Sequence, residues 1–266
     1  QIYTWKALIF SRLGDSDEAI YFNIKSIQLL EEYGDSVGFV SNNYSHLGEI
    51  FTQLNDDEKA ERYYKKSLSF IESRYPNKSV IRAHKLNDLG YYYFENDQYI
   101  DALKCFEESH QIFASLLDTN NYQLAYSYNN LGDTYCHIGK VVEGIVSYNK
   151  ALSIFETNNF QNEISIVYHN IGIAHFKLKN HQDALKFYNR ALKLGSEVRY
   201  SNNIYTAYTL RRIGQLYRIQ ENYDSAIYYY QEAVEELTYE SYNSVQKNPA
   251  FLNDSVLSIF ELFESL

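Results

Sequence analysis

Proline is nearly missing from this chain, with 2 residues in 266. Proline removes a backbone donor and clashes with the preceding turn, so its scarcity leaves long helices permitted almost everywhere. Cysteine is equally scarce. Cys105 and Cys136 stand alone, too few for a disulfide framework and without the CxxC spacing of a zinc site. Both read as small helix residues in a reducing, cytoplasmic setting. No apolar run approaches the ~18 residues of a membrane span, so no membrane partner is expected. The seven histidines form no i, i+4 pair and no HExxH. His175 occupies a slot where other copies of the repeat described below have Tyr or Phe, which suits a packed residue. GxSxG, phosphate-loop and dinucleotide fingerprints are missing too. No metal, no cofactor and no enzymatic activity are therefore expected. An initiator methionine is lacking as well. Gln1 is expected of a processed or partial chain, with room for a targeting segment or further domain outside it.

What is present is charge of one sign and tyrosine. The formal net charge is -10 and the pI about 5.2, which favours solubility and opposes nucleic acid or anionic lipid. Hydrophobic residues make up 45%, enough for a sizeable core. Tyrosine occurs 28 times against one tryptophan, and its ring can pack while its hydroxyl stays wet. The Asn-, Ile-, Lys- and Tyr-rich composition hints at a bacterial source.

An internal repeat organises the chain. YNNLGDTY (128–135) aligns with YSHLGEIF, LNDLGYYY, YHNIGIAH and LRRIGQLY, and more weakly with YTWKALIF at the start. The anchors are Ala7, Gly48, Gly90, Gly132, Gly172 and Gly214, spaced by 41, 42, 42, 40 and 42 residues. Twelve residues after each anchor stands another small residue: Ala19, Ala60, Ala102, Gly144, Ala184 and Ala226. Four further on come Asn23, Tyr64, Phe106, Tyr148, Tyr188 and Tyr230, then three beyond Ser26, Ser67, Ser109, Ala151, Ala191 and Ala233. Around each glycine, positions such as Tyr128, Leu131 and Tyr135 give the apolar period of a helix face. Glycine in a helix costs roughly 1 kcal/mol against alanine, so the glycines need a packing reason. A glycine facing a small residue, with the two backbones close, supplies one. Short turns rich in Gly, Asn and Asp separate the helices of each pair.

This pattern resembles the tetratricopeptide repeat (TPR) family over almost the whole chain. The usual period there is about 34 residues; the longer period implies helices longer by about a turn. The long-helix form is similar to repeats of kinesin light chains, spindle-orientation adaptors, peptide-pheromone receptors, bacterial regulators and caspase-like proteases. The resemblance implies an all-α, right-handed superhelical solenoid of six TPR-like hairpins plus a C-terminal capping helix. The repeats fall at about 1–34, 35–76, 77–118, 119–159, 160–201 and 202–246, within a repeat region 1–248, and the cap at 249–266. No linker is long enough to mark a domain boundary.

In this family the first helices line a concave face that holds a peptide or a partner-protein segment. By helical phase, residues six and three before and one, four and five after each anchor point there. The stripe includes Asn87, Tyr91, Asn129, Asp133, His137, His169, Lys177, Tyr208, Arg211, Gln215 and Arg218. It is richer in amides and aromatics than a solvated face, as a binding groove requires, though an ordinary inner surface remains the plain alternative. Asn130 and Asn170, two before their glycines, match the asparagines that clamp ligand backbones in the family; capping local turns is the other reading. His46, Asp88 and Arg212 interrupt that ladder. Arg211, Arg212 and Arg218 form an arginine cluster suited to a ligand carboxylate, or to ion pairs with Glu221 or Asp224. The implied function is a protein- or peptide-binding scaffold. The alternative is the ligand-sensing region of a bacterial regulator of the peptide-pheromone-receptor type, with its DNA-binding or catalytic domain outside this sequence.

Overall fold

The computed structural model describes residues 2–34, 38–74, 79–197 and 203–247, the side chains of 196, 197, 203 and 238–247 excepted. Among the described residues every regular element is an α-helix, and there are twelve. They pair in chain order: α1 (Ile2–Arg12) with α2 (Ser16–Tyr33), α3 (Phe39–Gln53) with α4 (Asp57–Arg74), and α5 (Val80–Glu95) with α6 (Tyr99–Leu116). Then come α7 (Tyr122–His137) with α8 (Val141–Thr157), α9 (Gln161–Lys177) with α10 (His181–Glu197), and α11 (Asn203–Ile219) with α12 (Tyr223–Lys247). The thirteenth, capping helix expected at 249–266 lies outside the described residues.

The chain divides into two compact units, residues 1–119 and 120–266. The division falls between the third and fourth pairs. The connecting turn is short and polar, which is why composition did not mark it as a boundary. Within each unit, each second helix packs on the first helix of the next pair, and the first helices touch: α1 on α3, α3 on α5, α7 on α9, α9 on α11.

One residue explains the turn inside every pair. Seven positions after each anchor the backbone is left-handed: Gly14, Asn55, Asp97, Gly139, Lys179 and Glu221 all have φ between 56° and 84°. This reverses the chain and lets the next N–H reach back to the helix end, as in Asp56 N to Phe51 O (2.9 Å), Lys140 N to Tyr135 O (2.8 Å) and Asn222 N to Tyr217 O (3.0 Å). Carbonyls orphaned at the helix end are thereby satisfied. Side chains of Asp15, Asp56 and Asn222 then accept N–H groups of the following helix.

All six anchors are buried. The expected close approach to the small residue of the second helix is seen in two pairs, where a Cβ on Gly144 would sit 2.9 Å from Gly132 O and one on Gly214 3.2 Å from Ala226 O, but an aromatic ring also fills the space over each anchor glycine. A Cβ on Gly132 would sit 2.5 Å from the Tyr148 ring, one on Gly172 2.5 Å from Tyr188, and one on Gly90 2.7 Å from Phe106. Each glycine is thus the seat of an aromatic ring sixteen residues on. The first pair carries Ala7 instead, and there the ring is replaced by Asn23, buried and bonded to Ala19 O at 2.8 Å. A methyl on one helix goes with the loss of the ring on the other. His175 stacks face to face on Phe187, its centroid 5.3 Å away.

Candidate functional site

The candidate site lies in unit 2, on the first helices α7, α9 and α11. A polar seam joins α9 to α7. Asn170 Nδ2 donates to Asn129 Oδ1 (3.3 Å), and Asn129 Nδ2 donates to Asp133 Oδ2 (3.0 Å). The other oxygen of Asp133 accepts from the Tyr148 hydroxyl at 2.6 Å. Lys177 Nζ donates to Cys136 O (3.1 Å), placing a cation on the last turn of α7, where the helix dipole favours it.

Burial shapes the electrostatics of this cluster. Asp133 is half-buried with its carboxyl turned inward. Desolvation raises its pKa to about 6, against the opposing pull of the Tyr148 and Asn129 hydrogen bonds and the Lys177 charge. The Tyr148 hydroxyl is pushed well above its ordinary value, first by burial and then by the Asp133 charge.

The second cluster centres on α11. His169 is 5% exposed, and its Nδ1 lies 2.8 Å from Thr209 Oγ1. Thr209 already donates its single proton to Tyr205 O at 2.6 Å, so Nδ1 of His169 carries the hydrogen of that pair. Burial, then the charges of Arg212 and Arg211, lower the His169 pKa to about 3, and the ring is neutral. Arg212 Nη1 donates to Gln215 Oε1 at 3.1 Å. Arg211 rests over the Tyr208 ring, 5.6 Å from its centroid. None of Lys177, Arg211, Arg212 and Arg218 has a carboxylate of the described residues within ion-pairing distance, Glu221 and Asp224 included.

The expected site residues therefore divide. Asn129, Asp133, Asn170 and Lys177 come together, and so do Tyr208, Arg211, Arg212, Gln215 and His169. Two are displaced from an open face. Asn130 is 4% exposed and His169 5%, because both pack inside the helix layer instead of lining it. His137 is exposed and bonded to its own helix at Asp133 O, and Arg218 is exposed. Asn87 and Tyr91 belong to unit 1, where the Asn87 side-chain oxygen is buried without a partner and the Tyr91 ring meets Phe106 edge-on.

In unit 1 the corresponding positions close on themselves. Lys85, 7% exposed, donates to Asp88 Oδ2 (2.9 Å) and Ser45 Oγ (3.1 Å), and Ser45 donates to Asp88 at 2.8 Å. Sequence reasoning missed the role of Tyr148. It had the right slot, but took the residue for packing alone. The signal was available: the hydroxyl of the ring over Gly132 falls beside the residue that follows that glycine, and in this pair that residue is Asp133.

Two shallow surface depressions, one on α4 around Glu61 and Arg62 and one at the α9–α10 turn around Lys179, lie off this face. Among the described residues no three His, Cys, Asp or Glu gather as a metal site, and no helix is long and apolar enough to cross a membrane.

An array of helical hairpins whose first helices carry exposed polar groups defines a class of helical-repeat proteins that bind other proteins and peptides. The chain belongs to the tetratricopeptide repeat family, whose sequence model matches residues 1–73, 81–157 and 163–235. No curated protein matches it by sequence. Solved structures share the fold. BtubC (BKLC) from P. vanneervenii is 19% identical with a TM-score of 0.73, over 83% of this chain and 90% of that one. The apo form of RapI is 16% identical, TM-score 0.72, over 99% and 97%. A Rap protein complexed with Competence and Sporulation Factor is 17% identical, TM-score 0.65, over 99% and 75%.

Proposed function

We propose that the first-helix face of unit 2 binds an extended peptide or partner-protein segment, as a non-catalytic scaffold. One observation carries the reading: the three arginines of α11, with Arg212 desolvated among them, have no carboxylate of the described residues within ion-pairing distance, and they stand beside a row of amides. A desolvated cation without a counter-charge costs stability that a ligand's acidic group returns. The amides serve differently. Asn170 and Asn129 bond each other in the free protein, and each retains capacity for a peptide backbone group. The ligand should then be extended, with backbone contacts near α7–α9 and an acidic group near α11.

A second reading has one point in its favour. A Rap protein of this fold is described complexed with Competence and Sporulation Factor, and RapI spans nearly the same length. On that reading the chain senses a peptide on behalf of a regulator. Calorimetric titration of a confirmed ligand against Asn170→Ala, Arg211→Ala and the exposed control Lys186→Ala tests the face. Loss of roughly 0.5–3 kcal/mol per contact is expected at the first two and none at the control. The arginine effect should shrink at high salt. Weakening by the control with normal binding by the others would place the ligand elsewhere.

A further inference from the structure

Where one pair follows another within a unit, the first helix meets the preceding second helix through three positions, five and two before the anchor and two after it. On α3, Asn43 Nδ2 donates to Ser26 Oγ of α2 at 3.2 Å, and the His46 ring is hydrogen-bonded to the Asn23 side chain at 3.1 Å. On α5, the Tyr92 ring lies against Tyr64 of α4, with centroids 5.3 Å apart. On α11, Leu216 packs with Ala184 and Tyr188 of α10. All of these positions are buried or half-buried.

On α1 the same three positions are Ile2, Trp5 and Ile9, and they are 73%, 66% and 54% exposed. Leu13, 64% exposed, continues the line. Spacings of 3, 4 and 4 residues put all four on one side of the helix. A solenoid end that meets water carries a polar outer face. Four large apolar side chains in one line mark a contact surface instead.

The residues themselves narrow what covers it. Two before the anchor the other copies carry His46, Asp88, Asn130, Asn170 and Arg212, all polar, whereas α1 carries Trp5. The stripe therefore departs from the chemistry by which one pair receives the next, where His46 bonds Asn23. It is apolar throughout and uncharged, so it is complementary to itself. The only charges on α1 are Lys6 and Arg12, and Lys6 is drawn over the Phe22 ring of its own pair, 5.1 Å from the centroid. A head-to-tail partner is closed off. The matching face of the last second helix, with Tyr230, Ala233 and Leu237, is already buried in its own chain.

We propose that α1 is a dimerisation helix, its Ile2, Trp5, Ile9 and Leu13 stripe packing on the same stripe of a second copy about a two-fold axis. Such a contact needs one self-complementary patch and no other. The four side chains offer on the order of 500 Å² of apolar surface per copy. Two copies then bury roughly 1,000 Å², at the lower end of specific interfaces, so the dimer is reversible. The contact belongs to unit 1 and is independent of the reading given to unit 2.

Trp5 is the only tryptophan, so the emission of the full chain reports on this face directly. Analytical ultracentrifugation and tryptophan emission are followed together from about 1 to about 500 µM chain. The mass should rise from monomer toward dimer, and the emission should move to shorter wavelength over the same range. Ile9→Glu puts a charge into the stripe at an exposed position and keeps the reporter. It should weaken association about tenfold or more, with long-wavelength emission throughout and an unchanged melting temperature in dilute solution. Ile2→Glu makes the same test at a still more exposed position if Ile9→Glu folds poorly. Val142→Glu, which replaces an equally exposed apolar residue on α8, should dimerise like the wild type. A monomer with long-wavelength emission across the whole range overturns the proposal. So does a rise in mass without a shift in emission, which places the contact elsewhere, or a dimer that survives both stripe variants. Short-wavelength emission from the dilute monomer also overturns it, because the face would then be covered within one chain.

Discussion

Nineteen residues after each anchor, unit 1 carries Ser26, Ser67 and Ser109, where unit 2 carries Ala151, Ala191 and Ala233. In unit 1 those hydroxyls tie the layers together. Ser67 meets Ser41 Oγ and Ser45 Oγ at 2.9 Å each, and Ser109 donates to Ala83 O at 2.8 Å. The same unit pairs Lys85 with Asp88, and Arg82 with Glu72 and Glu108. Unit 2 keeps the backbone plan but packs methyls in that slot, and among the described residues no carboxylate stands within ion-pairing distance of the α11 arginines. One repeat geometry thus supports two uses of polar residues, inward closure and outward availability. Stability comes from the positions the units share, and function is sought where they differ.

The largest effect should come from a shared position. Gly132→Leu drives a side chain into the Tyr148 ring and should cost about 3 kcal/mol or more; thermal or urea unfolding reads it directly. The sharper form is a double-mutant cycle. Gly132→Ala should destabilise in the wild-type background. In a Tyr148→Asn background, which copies Ala7 with Asn23, the alanine should be neutral or gain up to about 1 kcal/mol from helix propensity. Equal effects in both backgrounds would mean the ring is not what the glycine accommodates.

Next comes a direct contrast of buried cations. Asp88→Ala strands Lys85, 7% exposed, and should cost about 2 kcal/mol, allowing for the partial exposure of Asp88. Arg212→Met removes a cation with no carboxylate partner, so it should be neutral or slightly stabilising while weakening an acidic ligand. If Arg212→Met destabilises as much as Asp88→Ala, the guanidinium is structural and the difference between the units collapses.

The third prediction concerns pH. The folded pKa of Asp133, raised to about 6, lies above its unfolded value near 4. The native state therefore holds a proton that the unfolded chain has lost in that window. Stability should fall as pH rises from about 4 to about 6 and level off above, by about 1–2 kcal/mol once solvent screening is allowed for. Asp133→Asn should flatten that slope and be the more stable protein at neutral pH. An unchanged slope would mean that another group titrates there.

Most of the fold was legible because the repeat is written six times in one phase, and the small residues, rings and turns sit at fixed offsets. The boundary after Thr119 was not, since the turn there resembles the other turns between pairs. The site was legible to the level of a stripe. Helical phase put Asn129, Asp133, Arg211 and Gln215 on that stripe, but could not tell a half-buried Asn from a fully buried one. Asn129 and Asn130 stand about 100° apart on the helix, and how α7 is rotated against its neighbours decides which of the two is buried. Nor does spacing reveal that the Tyr188 hydroxyl is buried without a partner, because that depends on which way the ring points.

The smallest expected effect again separates the units. At the left-handed turn position unit 1 has Gly14, Asn55 and Asp97, residues that tolerate positive φ. Unit 2 has Gly139, but also Lys179 at φ 61° and Glu221 at φ 60°. A Cβ in this region crowds the following carbonyl, and neither lysine nor glutamate can compensate by bonding its own backbone as asparagine does. Glu221→Gly removes the strain but loosens the unfolded chain, so the net gain should be about 0.5–1 kcal/mol. Glu221→Asn should gain a similar amount by keeping the unfolded chain stiffer and tolerating the turn. The reverse change, Gly139→Glu, should cost about 1 kcal/mol. Both sites are exposed turn residues off the amide and arginine stripe, so ligand binding should not change with stability. A loss from Glu221→Gly would show that this side chain contributes something its place at the turn does not display, and that the tolerant residues of unit 1 are not the better choice there.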